Sequence, residues 1–344
     1  MLIDMRNVIL VCATLIAASA NAAPAPDYKL TKTILLGSPE RWDYVVYDAG
    51  SHRVFVAHGD HLSVVDGRDG TVQGEVGTFP GGTHGTAIVT AVGRGYTDDG
   101  KAGTASSFDL KTLKPIKTIR AEPDADGAVF DPASGHVFVV DGDSDRITVI
   151  DPATDSAIAS IDGGGGLETP GVDGHGKLFV NGAEKKELLV IDTAADKAIA
   201  HWPMPTCESP RGIAVDPKAE RVFASCANGV LVVVDGDTGA NIATLPIGKY
   251  TDAAAFDPKR NLVFSANGEG TVTVIKESDA QTFNVAETIK TVPGARTMTI
   301  DPDTGRLFLV SADIAKIDPP EKPGGRPHVT YVPGTVKLMF FDPQ

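Results

Sequence analysis

Apolar residues along this chain come in runs of four to six, rather than at the spacing of a helix face. The clearest are "RVFVAH", "LSVVD", "HVFVVD", "ITVID", "LLVID", "VLVVVD" and "LVFSAN". They are rich in Val, Ile and Phe, and clusters of Asp, Gly and Asn separate them, the pattern of short strands joined by tight turns.

The runs repeat. An Asp-Pro-type turn, a basic or polar residue and a pair such as Val-Phe recur in "YDAGSHRVFVAHGDHLSVVD", "FDPASGHVFVVDGDSDRITVID", "VDGHGKLFVNGAEKKELLVID", "VDPKAERVFASCANGVLVVVD", "FDPKRNLVFSANGEGTVTVI" and "IDPDTGRLFLVSAD". The leading Asp falls at Asp48, Asp131, Asp173, Asp216, Asp257 and Asp301, in steps of 83, 42, 43, 41 and 44 residues. The first step holds two units, the second of them with Val89 in the Asp position, Arg94 in the basic one and Tyr96 in that of Phe. Seven units result, each reading as four short strands. One such sheet cannot bury its faces alone and must stack on its neighbours, so the period predicts an all-β, seven-bladed β-propeller. The last unit ends at "TVKLMFFDPQ" without a fourth strand. The stretch "YKLTKTILLG", residues 28–37, has the pattern of one and is predicted to complete the last blade and close the ring.

The units "VFVVDGDSDRITVIDPATDSAIASI" and "LFVNGAEKKELLVIDTAADKAIA" resemble the YVTN-type repeat of exported bacterial and archaeal propellers, the YncE-like proteins in particular. The resemblance covers nearly the whole chain after its first residues. It implies the scaffold and leaves the activity open. Some members have been linked to nucleic-acid binding, and similarly built propellers include lactonases and lyases.

The opening "MLIDMRNVILVCATLIAASANAAPAP" carries Arg6 in a short leading region, an apolar core from Val8 to Ala18 and a small-residue exit at Ala20-Asn21-Ala22. This is the pattern of a secretory signal peptide over residues 1–22, and its core falls short of the roughly 20 residues needed to span a bilayer. The expectation is therefore a single propeller domain over 23–344, periplasmic or secreted, with no membrane span. A formal charge of −14 predicts no nucleic-acid partner. Beyond the signal segment stand Cys207 and Cys226, and one bridge between them is permitted in an oxidising compartment. Ring closure leaves no free sheet edge, which predicts a monomer.

The repeat also locates a candidate site. The leading Asp residues are read as turn formers that bond their own backbones. Five residues before each lies the equivalent position at one mouth of the central channel: Asp43, His84, Asp126, Glu168, Arg211, Asp252 and Arg296. All seven ionise, and their signs are segregated. Asp43, Asp126 and Glu168 read as ligands for a divalent metal, with His84 beside them for proton handling. Oxygen donors with one imidazole suit calcium, manganese or zinc. Arg211, Asp252 and Arg296 read as a fork for a small anionic ligand, since one carboxylate does not neutralise two guanidinium groups. A wider ring, His58, Asp99, Asp141, Asn181, Cys226, Asn267 and Ser311, falls at the ends of the second strands and reads as turn and strand-end chemistry. The proline-rich insertion at 314–334, with Lys322, Arg326 and His328, is expected over the same mouth as a loop, lid or docking segment for a protein partner.

Two functional classes follow. One is an exported scaffold that holds a ligand, ion or protein partner at the polar mouth. The other is a metal-dependent, lactonase-like hydrolase or lyase acting there on a small acidic substrate.

Overall fold

Each sequence unit folds as a four-stranded antiparallel sheet, and seven such sheets form a β-propeller. The computed structural model describes residues 27–320 and 327–344; the expected signal peptide at 1–22 lies outside the described residues. Six blades use consecutive strands, from the first strands Val45–Asp48, Thr86–Val89, Ala125–Phe130, Leu167–Val172, Pro210–Asp216 and Thr251–Asp257 outward. Blade 7 is assembled from both ends of the chain. Its order from the centre is Thr297–Ile300, Leu307–Ser311, Val336–Pro343 and, outermost, Tyr28–Gly37. That last strand runs antiparallel to its neighbour, with Tyr28 opposite Pro343 and Gly37 opposite Val336, so the predicted closure is present.

The repeated aromatic explains why the blades stack. Phe55, Tyr96, Phe138, Phe179, Phe223, Phe264 and Phe308 are all fully buried, most of them in apolar clusters shared by adjoining blades. Burying each such ring is worth about 1.5–3 kcal/mol, a stabilisation no isolated blade could collect. The turn reading of the leading aspartates also holds. Asp48, Asp131, Asp173, Asp216, Asp257 and Asp301 each accept a backbone N–H from two or three residues further on. Blade 2, which lacks this Asp, makes the corner with a 3₁₀ turn over Thr90–Val92 and Gly93 at φ 66°. A left-handed corner of that kind favours glycine.

The insertion after the second strand of blade 7 forms a two-stranded hairpin, Ile314–Asp318 against His328–Tyr331. It leans on the mouth through Tyr331, whose ring packs edge-on against Trp42 at 4.7 Å.

Candidate functional site

The mouth is built by the starts of the first strands, which carry Asp126, Glu168, Arg211 and Asp252, and by the loops before them, which carry Asp43, His84 and Arg296. His84 is 6% exposed and is gripped on both ring nitrogens. Its Nδ1 lies 2.8 Å from Oδ1 of Asp98 and 3.2 Å from the carbonyl of Ala125, and its Nε2 lies 2.9 Å from Nη2 of Arg41. Asp98 and the Ala125 carbonyl only accept, so Nδ1 carries a proton. Gly82 makes the seat for Arg41: it sits at φ +96°, and a Cβ there would come within 2.9 Å of the guanidinium. Asp98 is fully buried. It also accepts the backbone N–H groups of His84 at 2.8 Å and Gly85 at 2.6 Å, so it fixes both the loop and the ring.

Asp126 comes within 3.6 Å of His84 Nδ1. One donor atom from each of Asp43, His84 and Asp126 lies within 4.8 Å of the other two, and this is the metal-capable group among the described residues. Burial pushes the Asp43 carboxyl up to about 7, with the Asp252 and Asp98 charges adding and Arg296 opposing. Burial likewise raises Asp126, helped by the neighbouring Asp43. Burial alone would lower His84, but the hydrogen bond and charge of Asp98, followed by Asp126 and Asp43, outweigh it and raise the imidazole. All three groups therefore hold protons more tightly than they would in water, the mark of a site short of positive charge.

The other half of the mouth differs from the expected arrangement. Glu168 accepts an ion-pair hydrogen bond from Arg211 Nη1, and Asp252 accepts one from Arg296 Nε at 2.6 Å. Each arginine thus meets the carboxylate of the preceding blade. Charges that segregate when the chain is cut into halves alternate from Glu168 through Arg211 and Asp252 to Arg296 when adjacent blades stand side by side. Glu168 accordingly belongs with Arg211 in the structure, and the group close enough to share an ion contains His84 instead.

The wider ring works as fastening. His58 Nε2 bonds the Pro39 carbonyl at 2.8 Å, Asn181 Nδ2 donates to the Arg211 and Gly212 carbonyls at 3.0 and 3.1 Å, and Ser311 Oγ donates to Pro293 at 2.9 Å. Each tie secures the segment that delivers a mouth residue. Cys226 makes the same kind of tie covalently, through a disulfide to Cys207 in the loop that delivers Arg211. Asp99, Asp141 and Asn267 are buried at the corresponding strand ends.

Three functional neighbours were not picked out by the repeat. One residue before the wider ring, the seven blades carry Ala57, Asp98, Val140, Val180, Ser225, Ala266 and Val310, so Asp98 is the single charge in its set. One residue after the mouth ring they carry Tyr44, Gly85, Gly127, Thr169, Gly212, Ala253 and Thr297, so Tyr44 is the single large side chain in its set. Its hydroxyl reaches the Thr169 hydroxyl at 2.8 Å, crossing the channel from blade 1 to blade 4. The small residues are required there, since a Cβ on Gly85 or Gly212 would come within 2.6 or 2.5 Å of the next blade's backbone. Below Tyr44 a cavity of about 420 Å³ runs along the first strands toward the opposite face. Arg41, the third, lies two residues before the mouth ring, where the other blades carry Gly82, Asp124, Gly166, Ser209, Tyr250 and Gly294, so it is the single basic residue in its set.

These features define a seven-bladed β-propeller with a charged mouth on one face. A solved structure described as Kuenenia stuttgartiensis hydrazine synthase is similar with a TM-score of 0.66 at 16% identity, over 93% of this chain and 99% of that one. A structure of U3-55K is similar with a TM-score of 0.74 at 11% identity, over 92% of this chain and 98% of that one. At such identities the likeness is one of fold. No family model matches the chain, and no curated protein matches it.

Proposed function

We propose that the protein is an exported propeller of the YVTN type that acts as a binding scaffold, and that it holds a divalent cation at the mouth through Asp43, His84 and Asp126. One observation carries the reading: three blades bring three donor groups within 4.8 Å of one another, where both carboxyls are pushed up by burial, with Asp252 and Asp98 adding at Asp43 and Asp43 adding at Asp126. A cation relieves that repulsion as protons do. Two oxygens and one imidazole nitrogen suit manganese or zinc better than calcium, which takes six to eight oxygens. Arg41, which faces Nε2, is exposed. Export is supported by the N-terminal residue pattern and is consistent with the Cys207–Cys226 disulfide.

The test is calorimetric titration of the mature protein, stripped with chelator, with manganese, zinc and calcium at pH 8. The wild type is expected to take one equivalent of manganese or zinc. An Asp43→Asn, Asp126→Asn double variant, shown by its melt to be folded, is expected to lose it. Absence of uptake by the wild type, or equal uptake by the variant, rules the site out.

A further inference from the structure

Beside the mouth lies a second cavity, of about 460 Å³, between the blade 7 hairpin and the rim of blades 6 and 7. Its outer wall has an unusual origin. In the hairpin Ile314 opposes Tyr331 and Ile317 opposes Val329, with a register shift between Ile314 and Lys316. Opposed residues share a face of an antiparallel pair, and so do Val329 and Tyr331, two positions apart. Regular alternation would put Ile314 and Ile317 on opposite faces; the extra residue of the bulge brings them together. All four apolar side chains therefore line the cavity. They do not close on the rim: Ile317 remains 55% exposed.

The inner wall supplies one fixed positive charge. Arg296 lines the cavity, its guanidinium lies over the Trp42 ring at 5.9 Å, and its Nε donates to Asp252. Its two Nη nitrogens make no hydrogen bond among the described residues, and its side chain is 29% exposed. Asp252 thus orients the guanidinium along one edge and leaves the terminal fork directed away from it. A fork of two parallel N–H groups matches a carboxylate or sulfonate. Glu269 is the opposing charge on the lining, and it accepts a hydrogen bond from the Thr271 hydroxyl at the lip.

We infer that this cavity binds a small amphipathic acid, its apolar body against Ile314, Ile317, Val329 and Tyr331 and its anionic group on the terminal fork of Arg296. The site rests on the ligand-binding reading of the mouth but does not involve its cation. It gives the anionic ligand expected from the sequence a place and a chemical class. The fork is offered by Arg296 alone, not by Arg211 and Arg296 together.

Two dyes of nearly equal shape separate the contributions: 1-anilinonaphthalene-8-sulfonate and its neutral analogue N-phenyl-1-naphthylamine. Fluorescence titrations are run on the folded mature protein in EDTA, so that presence or absence of a cation at Asp43, His84 and Asp126 does not enter. The wild type is expected to bind one equivalent of the sulfonate at least tenfold more tightly than the neutral dye. Arg296→Gln removes that preference. Ile317→Asp, at an exposed position where folding is spared, weakens both dyes at least tenfold with an unchanged melting temperature. Absence of saturable sulfonate binding, equal affinity for the two dyes, or an Ile317→Asp variant that binds like the wild type overturns the proposal. Any of these results leaves the cation titration standing by itself.

Discussion

Replacing Asp43 by Asn tests whether the mouth is short of positive charge. The carboxyl has an ordinary value near 3.8 and is pushed up to about 7 by burial. The folded protein therefore holds a proton that the unfolded chain has released, and stability falls as pH rises from about 4 through 7. His84 acts in the same direction over a higher window: its raised imidazole contributes below its ordinary value of 6.5 and loses that contribution as pH rises toward about 9. A displacement from 3.8 to about 7 corresponds to at most about 4 kcal/mol. The mouth is open to water, and an effective dielectric nearer 20 than 4 brings this to about 2 kcal/mol. Asn keeps the size of the side chain and cannot ionise. Urea unfolding at pH 5, 7 and 9 without divalent ions should show wild-type stability declining across the range. The Asp43→Asn curve should be flatter by about 1 kcal/mol between pH 5 and 9, roughly 1–2 °C in melting temperature. A wild type that gains stability toward pH 9, or a variant with the wild-type slope, refutes the reasoning. Manganese or zinc at pH 8 should restore the loss in the wild type only, and its affinity should rise with pH as it replaces protons.

Three further outcomes are expected. Tyr28 is 4% exposed, packs edge-on against Phe264 at 5.6 Å and buries an unpartnered hydroxyl; Tyr28→Ala should cost about 3–5 kcal/mol in urea unfolding, while Tyr28→Phe should be neutral or stabilising. The Cys207–Cys226 bridge closes a separation of 19 residues, so a double Ser variant should lose about 3 kcal/mol, and intact mass should differ by two hydrogens after reduction. Asp98→Asn removes the hydrogen bond and charge that most raise His84, so an NMR titration should find its imidazole lower than in the wild type, and an unchanged value contradicts the geometry.

Much of the fold could be read from the chain because the propeller repeats one local solution. The leading Asp, the buried aromatic and the apolar runs recur at a fixed interval, and blade 2 was recoverable because Tyr96 keeps the aromatic position although Val89 replaces the Asp. Closure was legible because blade 7 lacked a strand and residues 28–37 had nowhere else to pair. The mouth ring followed by counting, since equal register places equal positions at equal depth. What counting missed depends on contacts between blades. The pairing of Glu168 with Arg211 and of Asp252 with Arg296 comes from side-by-side stacking, and Asp98 reaches His84 from a strand of the same blade that faces inward by alternation. Asp98 and Tyr44 were visible as the odd members of their sets. Arg41 was visible in the same way, as the one basic residue two positions before the mouth ring.

Tyr44 gives the disc a consequence for traffic. With its ring across the axis and its hydroxyl on Thr169, the centre of the propeller is a cup with a floor, and a second vestibule opens on the far side. A solute in the mouth meets Tyr44 and Thr169 before it reaches the far vestibule, so traffic between the two faces of the disc must pass their hydrogen bond.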